Sequence, residues 1–172
     1  MDRVAAFLGV LGLAAAVGAL AVGDLALLPA LTGEHPLLDA NQAVSIRGPI
    51  HLRCAEVALV GTIVAALAVP RWLGSRLATT VSLLAIACAG VSRLALLPRV
   101  YDAFSKVDLV AGRPAQRFVE AQELASQTLW IDGSLAALLL LLVGIAASRN
   151  GRADATPAPA PQATAEGTPA AA

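Results

Sequence analysis

The chain has 172 residues, of which 58% are hydrophobic and 14% are charged, which is too apolar for a soluble domain of this size. Twelve basic and twelve acidic residues cancel, so no net charge attracts a nucleic acid or an acidic partner. Several apolar runs are near 20 residues long, about the length that crosses the hydrocarbon of a bilayer. We therefore expect an integral membrane protein whose main partner is the lipid bilayer.

The first apolar run extends from Val4 to about Leu31 and predicts a membrane span. Arg3 and the Ala19-Leu20-Ala21 sequence are also typical of a cleaved signal peptide. The run continues past that site to Leu28, which favours a retained span.

Small residues at Ala15, Ala19 and Gly23 are four positions apart and predict a stripe on which another helix packs closely. Asp24 follows this stripe and interrupts the apolar run. A carboxylate faces lipid only at a high free-energy cost, so Asp24 is expected to face the protein.

The second span is predicted over Ile50–Val69, between Gly48-Pro49, which should stop any preceding helix, and Pro70, which should end the span. The connector 32–49 contains Leu37, Asn41 and Val44 at helical spacing. These residues predict a short helix along the membrane surface.

Arg71 to Arg76 form a tight basic turn that leads into a third span, Leu77–Leu97, with Arg93 near its far end. Apolar residues after that span keep helical spacing, so the helix is expected to continue to about Val110.

A last helix is predicted to begin at Ala115 and to include the fourth span, about Leu124–Ala147. One stripe of this helix is polar and another face carries Thr128 and Asp132; the stripe consists of Gln116, Glu120, Glu123, Gln127 and Ser134. The sequence thus predicts an all-α four-helix transmembrane bundle over residues 1–149, with helical extensions on the outer side. Residues 150–172 are rich in Ala and Pro and predict a disordered tail.

Each span carries a polar residue toward the same end of the bundle, and together these residues form a candidate polar cluster: Asp24, Arg53, Glu56, Arg93, Gln127 and Asp132. Arg53 and Glu56 are one helical turn apart and can form an ion pair that faces the bundle interior. Three interpretations are open. The arginines snorkel to the interface while the acids join helices, the cluster lines a solvated cavity for an ion or polar solute, or it contacts a partner subunit.

The sequence favours neither a cofactor nor catalysis. His35 lies in a connector, and His51 lies nearly opposite Arg53 and Glu56 on its helix with no histidine in a facing span, so haem ligation is not expected. The spans contain no Glu-x-x-His pair, nucleophile triad or phosphate-binding glycine loop. Cys54 and Cys88 are interpreted as small packing residues. We expect a protein that is not an enzyme and has no metal or cofactor.

The arginines predict the orientation in the membrane. Arg3, Arg71, Arg76, Arg149 and Arg152 lie on the side of the termini, and Arg47, Arg99, Lys106, Arg113 and Arg117 lie on the other side. The first group lies tightly against the ends of the spans, so the positive-inside rule favours cytoplasmic termini.

Four short sequences resemble a known family: Leu28-Pro29-Ala30-Leu31, Arg47-Gly48-x-x-His51-Leu52-Arg53, Leu97-Pro98-Arg99 and Arg117-Phe118. Spread over residues 5–147, they resemble the small four-span bacterial membrane proteins related to the eukaryotic transmembrane protein 205 group. Members of that group often have a histidine after the Arg-Phe pair, where this chain has Gln122-Glu123. The resemblance implies a four-helix membrane domain and no particular reaction, substrate or cofactor.

Two functions are expected. The first is a non-enzymatic accessory or structural component of the bacterial inner membrane, bound to a second copy of the chain or to another membrane subunit. The alternative is a small transporter or resistance factor that uses a polar cavity in the outer half of the bundle. Transport needs a polar path to the inner side, but Gly61–Val69 and Leu135–Ala147 are apolar apart from Thr62.

Overall fold

The structure, a computed structural model, describes residues 2–27, 40–106 and 115–153. These ranges are helical and contain no strand, which confirms the all-α prediction. The elements are α1 (Asp2–Leu20) with a π-helical continuation (Ala21–Leu27), α2 (Ala40–Leu73), α3 (Arg76–Val91) with a π-helical continuation (Ser92–Leu96), α4 (Leu97–Ser105) and α5 (Ala115–Ala153).

Four of the described stretches are long and apolar enough to cross a membrane, which confirms the predicted number of spans. They are Arg3–Asp24, Val44–Leu73, Arg76–Ser105 and Val119–Ser148. The last three have 30 residues each, whereas about 20 cross the hydrocarbon. The extra turns are the predicted helical extensions.

The helices contact one another in the ring order α1, α2, α3, α5. Gly74 and Ser75 join α2 to α3 in a short turn, so these two helices are antiparallel. We call the end of the bundle that contains Gly74 and Ser75 the turn end, and the opposite end, which contains Asp24 and Glu56, the polar end. Between the two ends, Leu, Val and Ala side chains form one buried apolar core.

The prediction that Gly48-Pro49 interrupts the chain was wrong, because α2 continues through both residues from Ala40. Membrane helices tolerate an internal proline where neighbouring helices support the backbone, and α4 packs against α2. In the predicted surface helix, Leu37 lies outside the described residues, while Asn41 and Val44 belong to the first turns of α2.

The second span was also predicted to end too early. Pro70 lies within the last turn of α2, and its carbonyl accepts a hydrogen bond of 2.8 Å from the N–H of Gly74. Gly74 ends the helix at Leu73 because its φ of 58° is the left-handed conformation that favours glycine. The Ser75 hydroxyl then caps α3 by accepting a hydrogen bond of 3.5 Å from the N–H of Ala78.

The outer limits of α4 and α5 agree in part with the prediction. Helix α4 ends at Ser105, and residues 107–110, over which the helix was expected to continue, lie outside the described residues. Helix α5 begins at Ala115 as predicted and ends at Ala153, beyond the expected domain limit at 149. The predicted disordered tail after Ala153 lies outside the described residues.

Helices α1 and α2 cross at a pair of glycines. A methyl group on Gly12 would lie 2.7 Å from the carbonyl oxygen of Gly61, and one on Gly61 would lie 2.8 Å from the carbonyl oxygen of Gly12. Ala15 and Gly23, from the predicted small-residue stripe, also face α2, since Ala15 lies beside Gly61 and Gly23 lies beside His51. This close backbone contact fixes how α1 lies against α2.

We expect Gly12→Ala to destabilise the bundle by about 1–3 kcal/mol, because its methyl group would overlap backbone atoms of α2 and force the helices apart. The measurement is thermal unfolding in detergent. Gly18→Ala is the matched control, since no atom lies within 4 Å of its added methyl group and alanine is the better helix former by about 1 kcal/mol. Equal stabilities of the two variants would contradict the close crossing.

Candidate functional site at the polar end

The polar side chains of different helices lie at one level of the bundle. Asp132 is about 21 Å along α5 from Ala146, and Arg93 is about 22 Å along its helix from Ala78; both alanines belong to the apolar core. Trp130, 77% exposed, lies two residues beyond Asp132, and an exposed tryptophan is typical of the membrane–water interface. The polar side chains therefore lie together near one end of the four apolar spans.

Both π-helical segments lie at this level. The first contains Gly23 and Asp24, and the second contains Ser92 and Arg93. Single π-helical turns within α-helices are rare and occur frequently at functional sites, where they change the direction of side chains. Their coincidence with the polar residues marks this level as the candidate functional site.

Glu56 is the acceptor for two arginines. Its Oε2 accepts a hydrogen bond of 2.6 Å from Nη1 of Arg53, and its Oε1 accepts one from Nη2 of Arg93. Arg53 and Glu56 thus form the ion pair that the sequence predicted. The Arg53 side chain is 80% exposed, however, and that of Arg93 is 20% exposed. Of the two arginines, Arg93 lies between the helices and Arg53 extends outward, as in the snorkelling interpretation.

His51 lies at the centre of a second group, of which the sequence assigned Asp24 to the polar cluster but neither His51 nor Tyr101. Its Nε2 lies 3.2 Å from Oδ1 of Asp24, and its Nδ1 lies 2.6 Å from Oη of Tyr101. The imidazole is 3% exposed, and the Tyr101 ring meets it edge-on. A neutral imidazole satisfies both contacts when Nε2–H donates to the carboxylate and Nδ1 accepts from the phenol. The three side chains join α1, α2 and α4.

Two glycines provide the space for this group. A methyl group on Gly23 would lie 2.9 Å from Cδ2 of His51, and one on Gly48 would lie 2.9 Å from Cδ1 and Cε1 of Tyr101. Gly48 precedes His51 by three residues and shares its helix face. The glycine one helical turn before His51 was the feature of the sequence that could have indicated a closely packed histidine. As expected, His51 lies on a different face of α2 from Arg53. This face is also packed inside the protein, however, since His51 is buried.

Asp132 lies next to the histidine group across a small cavity. Its side chain is 4% exposed, its Oδ1 has no hydrogen-bond partner among the described residues, and Ser92 lies within side-chain hydrogen-bonding reach. Asp24, His51, Ser92 and Asp132 contribute the polar part of the cavity lining. The cavity volume is about 10 Å³, which is the space of about one water molecule.

Gln127 does not belong to the cluster that the sequence predicted, because its side chain is exposed. The separation of five positions from Gln127 to Asp132 rotates the helix face by about 140°. The prediction that α5 has two distinct polar faces was correct. Glu120, Glu123 and Ser134 are exposed with Gln127, whereas Thr128 and Asp132 are buried.

The predicted cluster therefore divides into two parts. One part is the ion-paired group of Arg53, Glu56 and Arg93. The other is a pair of acids, the half-buried Asp24 and the buried Asp132, with His51, Tyr101 and Ser92 around them. The described residues contain no group of three or more His, Cys, Asp or Glu side chains arranged to hold a metal ion. The cavity has no room for an organic substrate.

Comparison of the chain with protein families, with curated proteins and with solved structures finds no match. The four apolar helices fit an integral membrane protein. The functional argument therefore depends on the geometry of the polar end.

We expect Arg93→Gln to lower the thermal midpoint more than Arg53→Gln does. Both changes remove one ion pair with Glu56, but only the Arg93 guanidinium lies mainly between helices. Thermal unfolding in detergent measures the difference, and Glu56→Gln completes a double-mutant cycle with each arginine. Equal losses and equal coupling energies would show that water surrounds both guanidinium groups.

We expect Tyr101→Phe to destabilise the bundle by about 1–3 kcal/mol, because it leaves Nδ1 of the buried His51 without a partner. The change His51→Leu is expected to cost more than Tyr101→Phe, because it also leaves the carboxylate of Asp24 without its hydrogen-bond donor. The free energy of unfolding is the quantity to measure. A neutral effect of Tyr101→Phe would contradict the hydrogen bond.

Proposed function

We propose that the protein is a non-enzymatic integral membrane protein that acts as an accessory or structural component of a bacterial inner membrane. The observation that carries the proposal is that the polar groups at the polar end are mainly bound to one another. Asp24 is bonded to His51, His51 to Tyr101, and Glu56 to two arginines. Such contacts hold helices together and leave little polar surface for a substrate.

The remainder of the bundle supports the same function. From the polar cavity to the turn end, the interior consists mainly of close-packed apolar side chains, with Leu135, Leu139 and Leu142 of α5 almost completely buried. The Thr62 hydroxyl donates to the carbonyl of Ala58, one turn earlier in its own helix. The helices described here thus offer a solute no wide polar path through a single chain.

The accessory function is tested by extraction in mild detergent from membranes that produce the protein at its native level. We expect a second membrane subunit to co-purify in a fixed ratio, and deletion of that subunit to lower the amount of this protein. A chain that purifies alone or only with copies of itself, and that catalyses solute flux in liposomes, would contradict the proposal.

A small transporter is the second candidate, and one observation favours it. Ser82 is 2% exposed and its hydroxyl has no hydrogen-bond partner among the described residues. It shares a helix face with Ser92, about 15 Å away along the axis, and the intervening residues on that face include Ala85 and Ala89. Small side chains between two buried hydroxyls are a place where water could extend the cavity toward the turn end.

Flux measurements in liposomes that contain the purified protein separate the two candidates. The transporter predicts movement of protons or monovalent cations above the level of empty liposomes, and Ser82→Val should reduce it. Thr79→Val is the matched control, since its hydroxyl is exposed and donates to the carbonyl of Ser75. The accessory function predicts flux equal to that of empty liposomes.

We also propose that both termini and the turn at Gly74 face the cytoplasm. Arg71 and Arg76 flank that turn at the ends of α2 and α3, where the positive-inside rule gives basic residues their greatest weight. A bacterial inner membrane is proposed from the resemblance to small bacterial four-span proteins.

The orientation predicts that cysteines at positions 75 and 105 react oppositely with a membrane-impermeant maleimide. In a chain that lacks Cys54 and Cys88, Ser105→Cys should be labelled in intact cells and Ser75→Cys only after permeabilisation. Loss of the Ser75 cap costs about 1 kcal/mol, so membrane insertion of each variant is checked first. Labelling of Ser75→Cys alone in intact cells would show the inverted orientation.

A further inference from the structure

Two carboxylates at the polar end, those of Asp24 and Asp132, line the small cavity. Neither contacts an arginine or a lysine in the part of the chain that the structure describes, whereas Glu56 contacts Arg53 and Arg93. An ionised carboxylate without a basic partner is costly in an apolar interior, so a cation between the two carboxylates would be stabilised there.

Asp132 is only 4% exposed, and its Oδ1 has no hydrogen-bond partner among the described residues. Its carboxylate is therefore the group in the cavity that most requires a ligand. The Ser92 hydroxyl adds a neutral oxygen ligand beside it.

We propose that this cavity binds one alkali-metal cation, Na⁺ or K⁺, between the carboxylates of Asp24 and Asp132. The cavity of about 10 Å³ admits one particle of about the size of a water molecule, which excludes organic cations. A transition-metal ion is disfavoured because the described residues contain no set of three suitable ligands. A water molecule or a proton at Oδ1 is the competing occupant, and the comparison of salts below distinguishes it from a metal cation.

The cation has a route into the cavity from the polar end. Asp24 keeps 17% of its side chain exposed while its Oδ1 contacts His51, so this carboxylate connects the cavity with the surface. In the cavity the cation would join α1, α3 and α5, the helices that provide Asp24, Ser92 and Asp132. The site stabilises the fold and requires no transport, so it is independent of the accessory function.

The test is thermal unfolding of the detergent-solubilised protein in NaCl, KCl and choline chloride at equal ionic strength. Because a ligand stabilises the state that binds it, we expect Na⁺ or K⁺ to raise the thermal midpoint by roughly 5 °C with saturation. Choline, which is too large for the cavity, should have no such effect. Asp132→Asn should raise the half-saturating concentration at least tenfold.

Asp102→Asn is the matched control, because Asp102 is exposed at the same end and contacts Lys106 outside the cavity. It should keep the wild-type response. If Asp132→Asn does not fold, equilibrium dialysis of the wild-type protein with ²²Na⁺ and with ⁸⁶Rb⁺ as a K⁺ analogue decides the question. About one bound cation per chain is expected. A midpoint that is the same in all three salts, or no bound cation, would show that water or a proton alone occupies the site and would overturn the proposal.

Discussion

The hydrogen bonds of His51 to Asp24 and Tyr101 are the interaction on which the polar end depends. Inside hydrocarbon, an unsatisfied polar side chain is costly and finds no water to replace its partner. Because the three residues belong to three different helices, each helix is held at one position relative to the others. Gly23 and Gly48 serve this group by leaving space for the imidazole and phenol rings. The π-helical turn around Asp24 lies at the same place, where it directs a carboxylate toward the interior.

The two halves of the bundle are stabilised by different means. Toward the turn end, the backbones of Gly12 and Gly61 are in close contact and the core is filled by leucine, valine and alanine. At the polar end, the helices are joined mainly by hydrogen bonds and ion pairs, which form a layer near one membrane interface. Such a layer is tolerable because the interface is close, so that Arg53 reaches outward while Arg93 stays between helices. The cavity lies beside Asp132, whose Oδ1 is the one buried carboxylate oxygen among the described residues that lacks a hydrogen-bond partner.

The sequence was sufficient for the fold and for part of the site. Hydrophobic runs of spanning length predict four helices because burial in lipid depends mainly on composition and length. The spacing of Arg53 and Glu56 predicted their ion pair, since that contact is local. Contacts between helices were harder to predict from the sequence. The role of His51, for example, depends on Asp24 and Tyr101, which are 27 and 50 residues away along the chain. Gly48-Pro49 looked like a break for a related reason, because the packing of α4 that supports this stretch of α2 is also distant in sequence.

Nuclear magnetic resonance of the His51 imidazole tests the central claim most directly. A chain with His35→Gln and ¹⁵N-labelled histidine has His51 as its single histidine, so its two ring nitrogens can be assigned without ambiguity. The two hydrogen bonds of the ring predict an Nε2–H that exchanges slowly with water and a changed Nδ1 resonance in Tyr101→Phe. A ring that exchanges its proton as fast as free imidazole, or that does not respond to Tyr101→Phe, would contradict the buried hydrogen-bonded group.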